Sequence, residues 1–156
     1  MSDRVLPATP SRRVLLRSGF AAGVATLLVR PAHAQPAPEL VAAIAAFAAG
    51  APVRVGKVKF DISPLVENGN AVPVTVSVES PMTAAAHVRE IAIFNQRNPQ
   101  RDVARFQLGP RAGRAEVSTR IRLATSQQLV ALARLSDGSV WSHNVDVIVT
   151  LAACIE

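Results

Sequence analysis

One side chain in this sequence is built for covalent chemistry: Cys154, the single cysteine among 156 residues. A lone cysteine forms no intrachain disulfide, so in an oxidising compartment it points to intermolecular pairing or to a working thiol. Its surroundings read Ala152-Ala153-Cys154-Ile155-Glu156. Taken as an arm beyond Leu151, these residues reach ~17 Å when fully extended. Alanine carries a Cβ that excludes most positive-φ conformations. Ile155 is β-branched and stiff. The Glu156 carboxylate disfavours a nearby thiolate and repels an anionic substrate, an effect that salt screens at exposed sites.

Other chemistries lack the residues they need. Beyond residue 34 there are two histidines, His87 and His143, in different segments and with no second ligand at metal-binding spacing; a zinc site wants three or four such ligands. Both read as surface or loop histidines. Gly109-Pro110-Arg111-Ala112-Gly113 is a turn rather than a phosphate loop, because proline removes one of the N–H groups such a loop uses. No Gly-x-Ser-x-Gly elbow occurs, and the scattered carboxylates single out no catalytic pair. An enzyme with its own active site is not expected, nor is a bound cofactor or metal.

Residues 1–34 read as a targeting leader. Ser11-Arg12-Arg13-Val14-Leu15-Leu16 is a twin-arginine pattern, followed by an apolar stretch of 11 residues from Gly19 to Val29 and a small-residue cleavage site at Ala32-His33-Ala34. That order is the order of a signal peptide. The apolar stretch is shorter than the roughly 20 residues a membrane span needs. Arg12 and Arg13 would be recognised by the twin-arginine translocon, cleavage would follow Ala34, and the mature chain would have no membrane span. The leader also holds much of the basic charge. The whole chain is +6, the leader +4 and the remainder +2. With no basic run interleaved with aromatics left after residue 34, nucleic-acid binding is excluded.

Elements that could position Cys154 follow from periodicity. Residues 35–50 form a linker and a helix over Glu39–Ala49, with Leu40, Ile44 and Phe47 at helical spacing and Gly50 as terminator. After Gly50 the period becomes two. The pattern predicts strands from Val53 to about Ile62 with Gly56 as a bulge, and from Val72 to Val78 with Pro73 at an edge or at the strand's start. Further strands are predicted at Glu90–Asn95, Val103–Leu108 and Ala115–Leu123, then one with Leu129, Ala131, Ala133 and Leu135 inward, and a last one from Val140 to about Leu151. Glu67-Asn68-Gly69-Asn70 is a turn in which Asn-Gly takes positive φ, and Ser136-Asp137-Gly138-Ser139 is a hairpin turn. Met82 reads as core plugging or loop packing rather than as a thioether ligand. Arg114, Arg120 and Arg122 alternate on one strand face, either solvated or turned to a partner. One helix and about seven short strands predict an all-β, antiparallel, Ig-like sandwich over residues 51–151.

The stretch from Glu67 to Trp141 resembles SoxY, the carrier subunit of bacterial sulfur oxidation. The resemblance rests on an ordered set: Glu67-Asn68-Gly69-Asn70, Val72-Pro73-Val74, Ser80-Pro81-Met82-Thr83, Ile93-Phe94, Asn98-Pro99, Asp102-Val103-Ala104, Gly113-Arg114-Ala115-Glu116, Ser118 to Ala124, and Ser136-Asp137-Gly138-Ser139 with Trp141. Each piece is weak alone, and the order makes them specific. The resemblance implies an Ig-like sandwich and a heterodimer with a SoxZ-like partner. It also implies a C-terminal cysteine, here Cys154, that carries sulfur intermediates covalently between periplasmic oxidoreductases or hydrolases. The family's arm reads Gly-Gly-Cys-Gly-Gly. Here Ala152, Ala153, Ile155 and Glu156 replace the glycines, as in SoxY-like relatives associated with quinoprotein systems, so thiosulfate is not implied as the cargo.

Three readings of Cys154 stay open on sequence alone. It is the attachment atom of a covalent carrier, a dispensable thiol on a non-catalytic scaffold subunit, or half of a metal or redox relay completed by a partner.

Overall fold

The computed structural model describes residues 37–153. Helix α1 spans Pro38–Ala48, with Pro38 in the first turn, where its missing N–H costs nothing. Its end comes one residue earlier than the sequence predicts. Ala49 already takes the left-handed conformation (φ 50°) and donates its N–H to the Ala45 carbonyl, and Gly50 follows at φ 86°.

Nine strands follow among the described residues: β1 Val53–Val55, β2 Val58–Asp61, β3 Leu65–Asn68, β4 Val72–Val78, β5 Val88–Asn95, β6 Asp102–Gln107, β7 Glu116–Ile121, β8 Gln127–Leu135 and β9 Val140–Leu151. The larger sheet runs β1-β9-β8-β5-β6, with β3 also on β9, and the smaller runs β2-β4-β7. The two face each other across a core of Val72, Val74 and Val76 from β4, Ile91 and Ile93 from β5, and Leu129, Ala131 and Ala133 from β8. This is the predicted all-β sandwich, and the alternation along β4 and β8 assigns those inward faces correctly.

The outer face of the larger sheet is also buried. Ala92, Phe94, Val130, Leu132 and Val140 lie under Leu40 and Phe47 of α1. Phe47 meets Phe94 edge-on, ring centroids 6.0 Å apart. Arg134 donates to the Phe47 carbonyl, one of the carbonyls a helix end leaves unpaired, and its guanidinium lies 4.9 Å from the Phe47 ring centre. Arg101 pairs with Glu39 at the other end.

The sequence reading misses how residues 53–68 run. A single bulged strand was expected from Val53 to Ile62. Instead β1 pairs with β9 in the larger sheet and β2 pairs with β4 in the smaller. The chain changes sheets at Gly56 (φ 118°) and Lys57 (φ 54°). Gly56 lies against Trp141, whose ring also carries the Lys57 ammonium 4.9 Å and the Arg54 guanidinium 5.7 Å from its centre. The chain then returns to β9 as β3. Both β1 and β3 run parallel to β9, so the sandwich is not purely antiparallel. Between these two pairings His143 of β9 accepts the Phe60 N–H on Nδ1 at 2.8 Å. This histidine joins the two sheets and is not the loose surface residue expected.

Pro73 lies beyond the last β2 pairing, Asp61 with Thr75, at the start of β4 as the sequence predicts. The β8–β9 turn is the predicted hairpin, with Gly138 at φ 81°. There Asp137 accepts the Ser139 hydroxyl (2.6 Å) and N–H (2.9 Å). The hydroxyl, then the N–H, hold its carboxyl below the usual aspartate range. A carboxylate whose pKa is lowered by folding stabilises the fold above its unfolded pKa, and that contribution fades as pH falls through the folded value. In Ser139→Ala, the Asp137 titration midpoint followed by carboxyl NMR should move upward.

Candidate functional site

Cys154, Ile155 and Glu156 lie outside the described residues, as do Arg12, Arg13 and Ala34. The structure does describe the place from which Cys154 departs. Strand β9 ends at Leu151, which is 60% exposed. Ala152 is exposed, but Ala153 turns back onto the domain and is only 8% exposed. The chain is tied down past the end of the strand, whereas the sequence reading begins an arm at Ala152.

The tie is a run of backbone hydrogen bonds joining three segments. Gly69 donates its N–H to the Leu151 carbonyl at 2.8 Å, and its carbonyl accepts the Leu123 N–H at 2.8 Å. The Leu123 carbonyl in turn accepts the Ala153 N–H at 3.1 Å. The β3–β4 turn, the segment after β7 and the end of β9 thus meet at one point. Gly69 is required there by crowding, not by the positive φ expected of Asn-Gly. A Cβ on Gly69 would lie 2.3 Å from the Leu123 carbonyl oxygen and 3.0 Å from the Ala153 nitrogen. Asn68 shapes the turn by accepting the Asn70 N–H on its side-chain oxygen.

A buried polar cluster holds the Leu123 segment from its other side. Asn98 donates to the Arg122 carbonyl at 2.7 Å and accepts the Ala124 N–H at 3.0 Å, gripping the residues on either side of Leu123. The same Asn98 oxygen accepts the Gln127 amide at 2.7 Å. Asn95 completes the cluster by accepting the Asn98 N–H at 3.0 Å and donating to the Gln100 carbonyl at 2.8 Å. Asn95, Asn98 and Gln127 are all buried. The sequence reading took Asn98-Pro99 as a turn and overlooked this cluster. Its visible signal was three amide side chains amid alternating strands, which alone does not reveal a shared site.

The other singled-out residues lie elsewhere. Met82 is buried, and its sulfur accepts the Val88 N–H at 3.4 Å. His87 sits in the loop before β5, with Nδ1 3.1 Å from the Thr83 carbonyl oxygen. Residues 110–112 form a short 3-10 turn. Arg114, Arg120 and Arg122 are exposed, and none pairs with a carboxylate among the described residues. Among the described residues no cluster of His, Cys, Asp and Glu could hold a metal ion, and no helix is long and apolar enough to cross a membrane.

Comparison with known proteins agrees with this architecture. The sequence pattern of the sulfur oxidation protein SoxY matches residues 44–154. The solved structure of the sulfur carrier protein SoxY from Chlorobium limicola f thiosulfatophilum is 30% identical; the match covers 69% of this chain and 88% of that one, with a TM-score of 0.58. A superoxide reductase (neelaredoxin) from Ignicoccus hospitalis is similar at 21% identity and a TM-score of 0.54, over 60% of this chain and 80% of that one. Another from Nanoarchaeum equitans is similar at 11% identity and a TM-score of 0.52, over 62% of this chain and 100% of that one. These two share the fold alone. No curated protein matches the sequence. The pattern match reaches Cys154 itself, and the chain belongs to the SoxY family of sulfur oxidation proteins.

Proposed function

We propose that this protein is a periplasmic carrier that holds a sulfur-containing group covalently on Cys154 and presents it to partner enzymes. The observation that carries the reading is the family match running through Cys154, the chain's single cysteine. The carrier has no active site of its own and no resident cofactor; its only prosthetic chemistry is the adduct on the sulfur. The leader, with Arg12, Arg13 and cleavage after Ala34, sends it out through the twin-arginine translocon. A SoxZ-like protein is its heterodimer partner, and periplasmic oxidoreductases or hydrolases load and unload it. The replacement of the family's glycines by Ala152, Ala153, Ile155 and Glu156 favours a cargo or an enzyme set different from that of the thiosulfate carrier.

Mass spectrometry of protein purified from its native periplasm tests this reading. The expected result is a C-terminal peptide heavier than the free thiol by a sulfur-containing group that a reductant removes. A tail found only as free thiol or plain disulfide dimer sinks it. Cys154→Ser separates the carrier from a scaffold subunit. The carrier loses its cellular phenotype completely while the fold is unchanged, whereas a scaffold keeps it.

A further inference from the structure

Five of the six large hydrophobic side chains left exposed among the described residues lie on one side of the domain: Val41, Val53, Val55, Leu65 and Ile148, with Val55 the most open at 85%. Val53 is the register partner of Val140, Val55 of Ser142 and Leu65 of Ile148. Paired residues of neighbouring strands point to one face, and alternate residues of β9 share it. Val140 lies under α1, so all four strand residues stand on the outer face of the larger sheet. Val41 stands on the helix that covers that face. This helix has no polar side chain except Glu39, and Val41, Ala42, Ala45 and Ala46 face solvent, although a helix apolar on all sides is normally a buried one. The outer face of the smaller sheet differs, carrying Lys59, Asp61, Thr75, Ser77, Ser118 and Arg120. We infer that the helix-bearing face is the docking surface for the partner subunit, a chain other than a second copy of this one, which meets it with an apolar centre bordered by lysine or arginine. The inference deepens the proposed heterodimer and rests on it for the existence of that subunit.

Size and charge decide what covers the face. Ser142, beside Val55, and Ile148 are separated along β9 by about 20 Å at ~3.4 Å per residue. A stable interface takes ~800 Å² from each partner and is roughly 30 Å across, so one subunit covers both ends. Glu67 points outward beside Leu65, since Val66 between them is in the core. Asp146 points outward two residues before Ile148 and receives only the Gln128 amide at 3.4 Å. Both acids are exposed, and neither has an ion-pair partner among the described residues. The guanidiniums under and beside α1 are committed: Arg101 to Glu39, Arg105 to Asp102 and Glu90, and Arg134 to the Phe47 carbonyl. Arg54 and Lys57 lie over Trp141, on the inner side of β9. In a symmetric pair of copies the patch meets itself, bringing two acids from each chain together with none of these cations free to receive them. A different chain with a basic border receives them and covers the valines as well.

The test uses the complex as it exists. The tagged mature chain is isolated from its native periplasm, and the probe is the subunit that copurifies with it in one-to-one ratio. Hydroxyl-radical footprinting of the complex against the chain alone should protect Val55, Leu65 and Ile148 and leave Lys59 and Arg120 open. By calorimetry of the two purified subunits, Val55→Lys and Ile148→Lys should each weaken binding at least tenfold. Both side chains are mostly exposed, so the melting temperature of the free chain should stay within a few degrees. Glu67→Lys with Asp146→Lys should also weaken binding tenfold or more at low salt, and less at high salt as screening grows. Arg120→Glu, on the opposite face, should change it less than twofold. Protection of the smaller sheet, or a loss with Arg120→Glu and none with Val55→Lys and Ile148→Lys, overturns the inference and leaves the heterodimer standing. A second copy of this chain on the helix-bearing face overturns it too. Recovery of the chain with no stoichiometric subunit overturns both the inference and the heterodimer. An adduct on Cys154 is read separately, so carriage stands or falls independently of the docking face.

Discussion

Asn98→Ala is expected to destabilise the domain by about 3 kcal/mol, because it removes three hydrogen bonds made by a buried side chain, each worth about 1 kcal/mol. The truncation strands the Arg122 carbonyl and the Ala124 N–H and takes the shortest bond from the Gln127 amide, which keeps only a 3.2 Å contact to the Thr125 carbonyl. The methyl that remains replaces none of these, and a chain of this size should melt on the order of 10 °C lower. Calorimetry of the variant checks the value. A loss below about 0.5 kcal/mol, the level of an ordinary surface substitution, would mean that the cluster is not holding the segment. The location of the damage is equally informative. Amides of residues 122–124 should lose hydrogen-exchange protection before those of β5 and β8, since the side chain grips that segment directly.

Phe94→Ala should cost about 3–5 kcal/mol, the range for emptying a buried phenylalanine site. Phe94 is fully buried and stacks edge-on against Phe47. The Arg105 guanidinium lies 5.7 Å from both ring centres. The loss should fall first on α1. A helix of 11 residues is marginal in water by itself, and this one is held by Leu40, Phe47 and the Arg134 bond to its last turn. Proteolysis within residues 38–48 should therefore precede sheet unfolding in the variant, while in the wild type both occur in one transition. Simultaneous loss in the variant would show that the helix contributes to the core in some way other than through this ring pair. The hydrogen bonds that hold Leu151 and Ala153 share no residue with this cluster, so the Ala153 amide should exchange as slowly in folded Phe94→Ala as in the wild type.

The strands were legible because a half-buried strand writes its burial into alternate residues. Val72, Val74, Val76 and Val78 on β4, and Leu129, Ala131, Ala133 and Leu135 on β8, are such records. The start of β4 at a proline, the hairpin at Asp137-Gly138 and the extent of β9 were equally plain. What covers the far side of a strand is not written in it. Val130 and Leu132 read only as the second face of β8, and their burial depends on a helix more than 80 residues earlier. The switch of sheets at Gly56-Lys57 was mistaken for a bulge because either feature needs a permissive backbone flanked by valines. Parallel pairing of β1 and β3 with β9 leaves no local mark, since turns connect neither to it. At the site, Cys154 stood out by chemistry alone. Gly69 looked like a turn glycine and is one, but its tight contact is with segments about 50 and 80 residues away, and no local pattern announces that.

Strand β9 has a mechanical consequence. It is paired with β8 along one side and with β1 and β3 on the other, and in sequence it leads to Cys154, the residue proposed above to carry cargo. Ladder hydrogen bonds lie across a strand. A pull on Cys154 along β9 therefore loads the bonds to β8, β1 and β3 together in shear, instead of peeling them apart in turn. On the carrier reading proposed above, an enzyme that withdraws while still gripping the cargo pulls on the strand with the most partners among the described residues. Such tugging should break the Ala153 contact first and leave the sandwich intact, so that the anchor outlasts the grip.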